Sequence, residues 1–121
     1  MTAAGARQFQ PRSEAQFLED RIARLRAKCG GPTDGTHLRV LLANALLDAN
    51  LREDALAELR WSLKFDPFNI AAMRMMGMTF VKMGSVDRAV KWFEKAITLA
   101  VKGENVPAAR ELKIFLRRLK R

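Results

Sequence analysis

Apolar side chains recur at helical spacing along most of the chain, and the breaks in that rhythm mark where one helix ends and the next begins. From Asn69 to Lys102 the pattern runs through Met73, Met76, Phe80 and Met83. It breaks at Gly84-Ser85 and resumes through Val86, Ala89, Val90, Phe93, Ala96 and Ile97. Residues three and four apart share one face of an α-helix, so this stretch predicts two amphipathic helices joined by a tight turn. Gly77 falls inside the first helix, where glycine costs about 1 kcal/mol relative to alanine. A glycine there predicts a close helix–helix approach, with the small Ala89 as its partner.

The same unit occurs upstream. A shift of 34 residues carries Leu42 onto Met76, Ala43 onto Gly77, Leu46 onto Phe80, Asn50 onto Gly84, Ala55 onto Ala89 and Leu59 onto Phe93. Each pair keeps its size class, and Asn replaces Gly where a left-handed residue ends a helix. Thr36 is the expected cap of the upstream helix, which buries Leu38, Leu41, Leu42, Ala45 and Leu46. Glu53 and Asp54 place negative charge at the start of its partner, and Asp66-Pro67 halts that partner near Phe65.

The flanks predict two further helices. Ser13 is positioned to cap a helix with Glu14 in its first turn, whose apolar stripe runs through Leu18, Ile22, Leu25 and Cys29 until Gly30-Gly31-Pro32. Asp20 and Arg24 add an i,i+4 pair on it. So narrow a stripe predicts a helix that either covers the exposed start of the array or folds into its groove. At the other end Asn105 caps, Pro107 sits in the first turn, and Leu112, Phe115, Leu116 and Leu119 form an apolar face. Glu111 stands where a third unit needs a small residue, which marks this as a terminal capping helix.

A period of 34 residues resembles the tetratricopeptide (TPR) repeat, whose pattern is W-x2-L-G-x2-Y…A-x3-F…P. The second unit matches at Met76, Gly77, Phe80, Ala89 and Phe93, with Met73 at the Trp position and Val101 at the Pro position. The first matches at Leu42, Ala43, Leu46, Ala55, Leu59 and Pro67, with Arg39 at the Trp position. The resemblance covers about residues 36–102. It implies an all-α fold: an antiparallel helix-pair array with repeats at 36–69 and 70–102 and capping helices at 13–29 and 105–121. Residues 1–12 are expected to be a flexible N-terminal segment of this one domain.

The chain has 121 residues and a net charge of +9. The charge is uneven. Residues 1–33 carry six basic and three acidic side chains, residues 34–101 nine and eight, and residues 102–121 seven and two. The repeats are nearly neutral, and the basicity belongs to the flanks. No apolar run is long enough for a membrane span and no secretory signal is evident, so a cytoplasmic location is the expectation. The single Cys29 reads as a buried or half-buried thiol.

No catalytic constellation assembles. The one histidine, His37, has no partner set for a metal, and neither phosphate-loop motif occurs. Glu53, Asp54 and Glu58 read as a solvated helix face. No cofactor and no enzymatic activity are expected, and what remains is surface. The resemblance implies a concave groove lined by the first helix of each unit. Carried onto this sequence, it places there His37, Val40, Leu41, Asn44, Leu47 and Asp48, with Ala71, Arg74, Met75, Met78, Val81 and Lys82. Val40 stands where the family's carboxylate-clamp members have Lys, so that clamp is not expected. An apolar groove with adaptable Met side chains suits a partner peptide or amphipathic helix. Packing of these residues on the chain's own N-terminal helix is the competing outcome.

The last helix adds a basic surface of Arg110, Lys113, Arg117, Arg118, Lys120 and Arg121. Helix-dipole and solubility effects explain part of it. The remainder fits an acidic protein partner first, with nucleic acid or an anionic membrane surface behind it. Trp61 and Trp92 fall in the second helices of their units, where packing is expected in place of base stacking. The expected protein is thus an adaptor, chaperone or assembly subunit. Its alternative is a nucleic-acid-associated protein, and its oligomeric state is open.

Overall fold

In the computed structural model, which describes residues 13–121, the chain forms six helices and no strand among the described residues. They are α1 (Glu14–Lys28), α2 (Thr36–Asp48), α3 (Arg52–Phe65), α4 (Ile70–Lys82), α5 (Val86–Lys102) and α6 (Val106–Leu119). Each helix packs on its neighbours in sequence, and α2 also touches α4. The result is the expected antiparallel helical array. The segment expected to be flexible, 1–12, lies outside the described residues.

The turns repeat bond for bond. Asn50 (φ 62°) and Gly84 (φ 77°) both take the left-handed conformation that ends a helix. One residue later, the Leu51 N–H donates to the Leu46 carbonyl at 2.9 Å and the Ser85 N–H to the Phe80 carbonyl at 2.8 Å. The α5–α6 turn uses the same device with Glu104 (φ 58°), and there the Asn105 N–H donates to the Ala100 carbonyl at 2.8 Å.

Side chains cap three of the six helix N-termini. Ser13 and Gln16 form a capping box, and the Asn69 and Asn105 side chains accept from the Ala72 and Ala108 N–H groups. Thr36 departs from expectation. It is the first helical residue of α2, behind an extended Gly35 with no side-chain cap. The reason lies one residue further back, where Asp34 fixes the loop. Its carboxylate accepts from the Gly30 N–H at 2.8 Å and takes the Arg39 guanidinium two-pronged, both contacts at 2.9 Å. Arg39 also reaches Glu58 of α3 at 2.8 Å and lies 4.3 Å above the Trp61 ring. At the position where the repeat pattern has Trp, Arg39 therefore ties loop, α2 and α3 together by charge.

Leu42, Leu46, Leu56, Leu59, Met73, Phe93 and Leu112 are fully buried and form the centre of the core. Gly77 does mark a close approach, and the nearest atoms belong to Phe93. A Cβ at Gly77 would stand 2.8 Å from Phe93 Cζ. Phe93 in turn stacks on Phe115 of α6, with ring centroids 5.9 Å apart. Helix α1 joins through Ile22, which is buried, and Leu25 and Cys29, which are partly so. It packs on α2, and its Arg26 reaches Asp54 of α3 at 3.2 Å. Of the two placements open to it, α1 takes the end of the array. Cys29 is half-buried, donates to the Leu25 carbonyl and has its pKa raised by burial, so the thiol stays protonated.

Candidate partner-binding groove

Helices α2, α4 and α6 share the face on which the expected groove residues fall. Most of these are accessible. Val40, Leu41, Asn44, Arg74 and Met78 are half-buried, while His37, Asp48, Ala71, Val81 and Lys82 are exposed. Two are not: Leu47 is 2% exposed and Met75 4%. Both belong to the core, because each first helix is clasped by two helices, its own partner and the one before it, and its buried arc is wider than a single stripe.

Arg74 crosses the groove. Its guanidinium reaches Glu111 of α6 at 3.1 Å and rests beside the Met78 sulfur at 3.8 Å. Glu111 thereby explains why α6 lacks a small residue at the Gly77 position. The side chain is exposed and holds α4 against α6.

Beyond Arg74 the groove deepens into a depression of about 260 Å³ between α4, α5 and α6. Met78, Val81, Phe93, Phe115 and Leu119 line it, and its polar members are Lys82 and Arg118 alone. The four basic residues of α6, Arg110, Lys113, Arg117 and Arg118, and the two that follow it, Lys120 and Arg121, are all exposed. The fold divides them: Arg118 turns toward this depression, Arg110 and Lys113 line a shallower one at the α5–α6 turn, and Lys120 approaches Glu94 at 3.9 Å.

The other end of the groove is also basic, which the sequence reading missed. Arg21, Arg24 and Lys28 of α1 gather with Leu25 around Leu41 of α2. Their i, i+3, i+7 spacing on one side of a helix was the available signal. The supposed solvated carboxylates are partly engaged, Asp54 by Arg26 and Glu58 by Arg39. Trp61 lies under Arg39 and against Phe65, its ring centroid 4.7 Å away.

No family model matches this chain, and no curated protein is significantly similar to it. Among solved structures, it resembles the solution structure of protein BPP2914 from Bordetella parapertussis, a structural genomics target. The two are 27% identical with a TM-score of 0.67, over 91% of this chain and 90% of that one. The likeness extends to nearly the full helical array. Among the described residues no helix is long and apolar enough to cross a membrane, and no cluster of three His, Cys, Asp or Glu is placed to hold a metal ion.

Proposed function

We propose that this chain is a TPR-like, non-enzymatic interaction module of the cytoplasm, which holds a peptide or helix of a partner protein along the face shared by α2, α4 and α6. The carrying observation is that this face keeps Val40, Leu41, Met78 and Val81 accessible, with α1 reaching it only beside Leu41 at one end. Partly exposed apolar side chains in a row, bounded by unpaired cations at one end, suit an amphipathic, partly acidic segment. Chaperone, scaffold and assembly roles all use such a surface. The test is site-specific photo-crosslinking in the source cell, with the reactive residue at Val81 or, as control, at exposed Ala57 on α3. A protein captured from position 81 and not from 57 supports the groove, and identical capture from both refutes it.

The nucleic-acid reading rests on the exposed cations of α6. Binding to nonspecific duplex or RNA that survives near-physiological salt favours it. Against it, the Trp61 ring is already covered by Arg39 and supplies no stacking platform.

A further inference from the structure

The depression beyond Arg74 is built differently from the rest of the groove. Its floor is aromatic and rigid: Phe93 is 1% exposed and stacked on Phe115. Its wall is the flexible Met78 with Val81 and Leu119. At about 260 Å³ it falls below the roughly 300–1,000 Å³ typical of small-molecule sites, so it suits a single large side chain. Lys82 and Arg118 stand at its edge, and neither has an ion-pair partner among the described residues, although Arg74 and Lys120 nearby each face a carboxylate.

Resting on the groove reading above, we propose that this depression is an anchoring pocket for one bulky apolar residue of a partner helix, with carboxylates on either side of that anchor pairing with Lys82 and Arg118. Charge selects this occupant. The chain's own first twelve residues carry Arg7 and Arg12 and no carboxylate, and a second copy brings a net charge of +9. Both are repelled from a site already edged by two cations. An acidic-flanked apolar anchor satisfies both features at once.

The test selects binders of the intact chain from a phage-displayed library of random peptides. Synthetic peptides are then titrated against wild type, Lys82→Glu, Arg118→Glu and Asn44→Trp, with circular dichroism confirming each fold. The expected peptides carry Leu, Phe or Trp between acidic residues. Changing that anchor to Ala weakens binding about thirtyfold or more. Each charge reversal weakens it about tenfold, and exchanging the facing carboxylate for Lys restores it. Peptides sensitive to Asn44→Trp but indifferent to both reversals overturn the pocket and leave the groove intact. Peptides indifferent to all three variants, or no selected peptide, overturn both readings. Self-association in sedimentation that Lys82→Glu abolishes overturns the choice of partner.

Discussion

Gly77→Ala tests the packing between α4 and α5. Alanine is the better helix former by about 1 kcal/mol, and on propensity alone the change stabilises α4. The geometry opposes it. The new Cβ would lie 2.8 Å from Phe93 Cζ and 2.9 Å from both Cε atoms, against about 3.5–4.0 Å for carbon atoms at ease. Moving Phe93 aside costs its stacking on Phe115 and its buried packing. Overpacking of this kind costs about 1–3 kcal/mol, so a net loss of up to about 2 kcal/mol is expected, and Gly77→Leu loses more. One kcal/mol corresponds to roughly 3–5 °C in a domain of this size. In a Phe93→Leu background the aromatic atoms that clash are gone, and Gly77→Ala should turn neutral or stabilising. The assay is a double-mutant cycle by thermal and urea unfolding, with Gly103→Ala as control. At Gly103 φ is −86° and an added Cβ makes an ordinary 3.4 Å contact with the Leu99 carbonyl. A coupling of about 1–3 kcal/mol is expected between positions 77 and 93. If Gly77→Ala stabilises equally in both backgrounds, the Gly77–Phe93 contact is not what sets the helix spacing.

Three further outcomes follow from the same structure. Met75→Glu should unfold the chain, since a carboxylate would be buried without a partner, whereas Met78→Glu should keep its helicity by circular dichroism and lose peptide binding. Asp34 has its pKa lowered, chiefly by the Arg39 hydrogen bonds. Its contribution is therefore complete above the ordinary aspartate range near about 4 and is lost as pH falls below it; Asp34→Asn should flatten the drop in urea midpoint between about pH 6 and about pH 3. Changing Arg117, Arg118, Lys120 and Arg121 together to Ser should leave the melting temperature nearly unmoved, because exposed charges contribute within about 0.5 kcal/mol each. It should also slow association with an acidic peptide at low salt, and equal on-rates there would make these charges a solubility feature.

The helices and their turns were legible because they are local. Helix spacing, the left-handed Asn50 and Gly84, and the stop at Asp66-Pro67 all act within a turn or two of the chain. What was not legible depends on which helices lie beside one another. Leu47 and Met75 look like groove residues when α2 and α4 are given one buried stripe. They are core because each of these helices has a helix on two sides. Gly77 signalled a close contact, but only the register of α4 on α5 shows that the Phe93 ring lies nearest to it. Arg39 looked like a flaw at a Trp position. Its partners Asp34 and Glu58 lie in a loop and on another helix, so their pairing had no sequence rhythm to reveal it.

Charge illustrates the same point with consequences for binding. Summed by segment, Lys82 belongs to a nearly neutral core and Arg118 to a basic tail, and nothing links them. Folding consumes the carboxylates at the seams: Asp34 and Glu58 on Arg39, Asp54 on Arg26, Glu111 on Arg74, and Glu94 near Lys120. These pairs hold one helix or loop to the next, and each cancels its field within a few ångströms. Lys82 and Arg118 are left over, brought to one apolar hollow from two different helices. Salt screens exposed charges beyond about 8–10 Å, so a partner approaching the hollow feels these two cations more than the net +9 of the chain. On the proposed reading, two charges and the hollow they edge set a partner's specificity, while the remaining cations of α6 act on the rate of encounter.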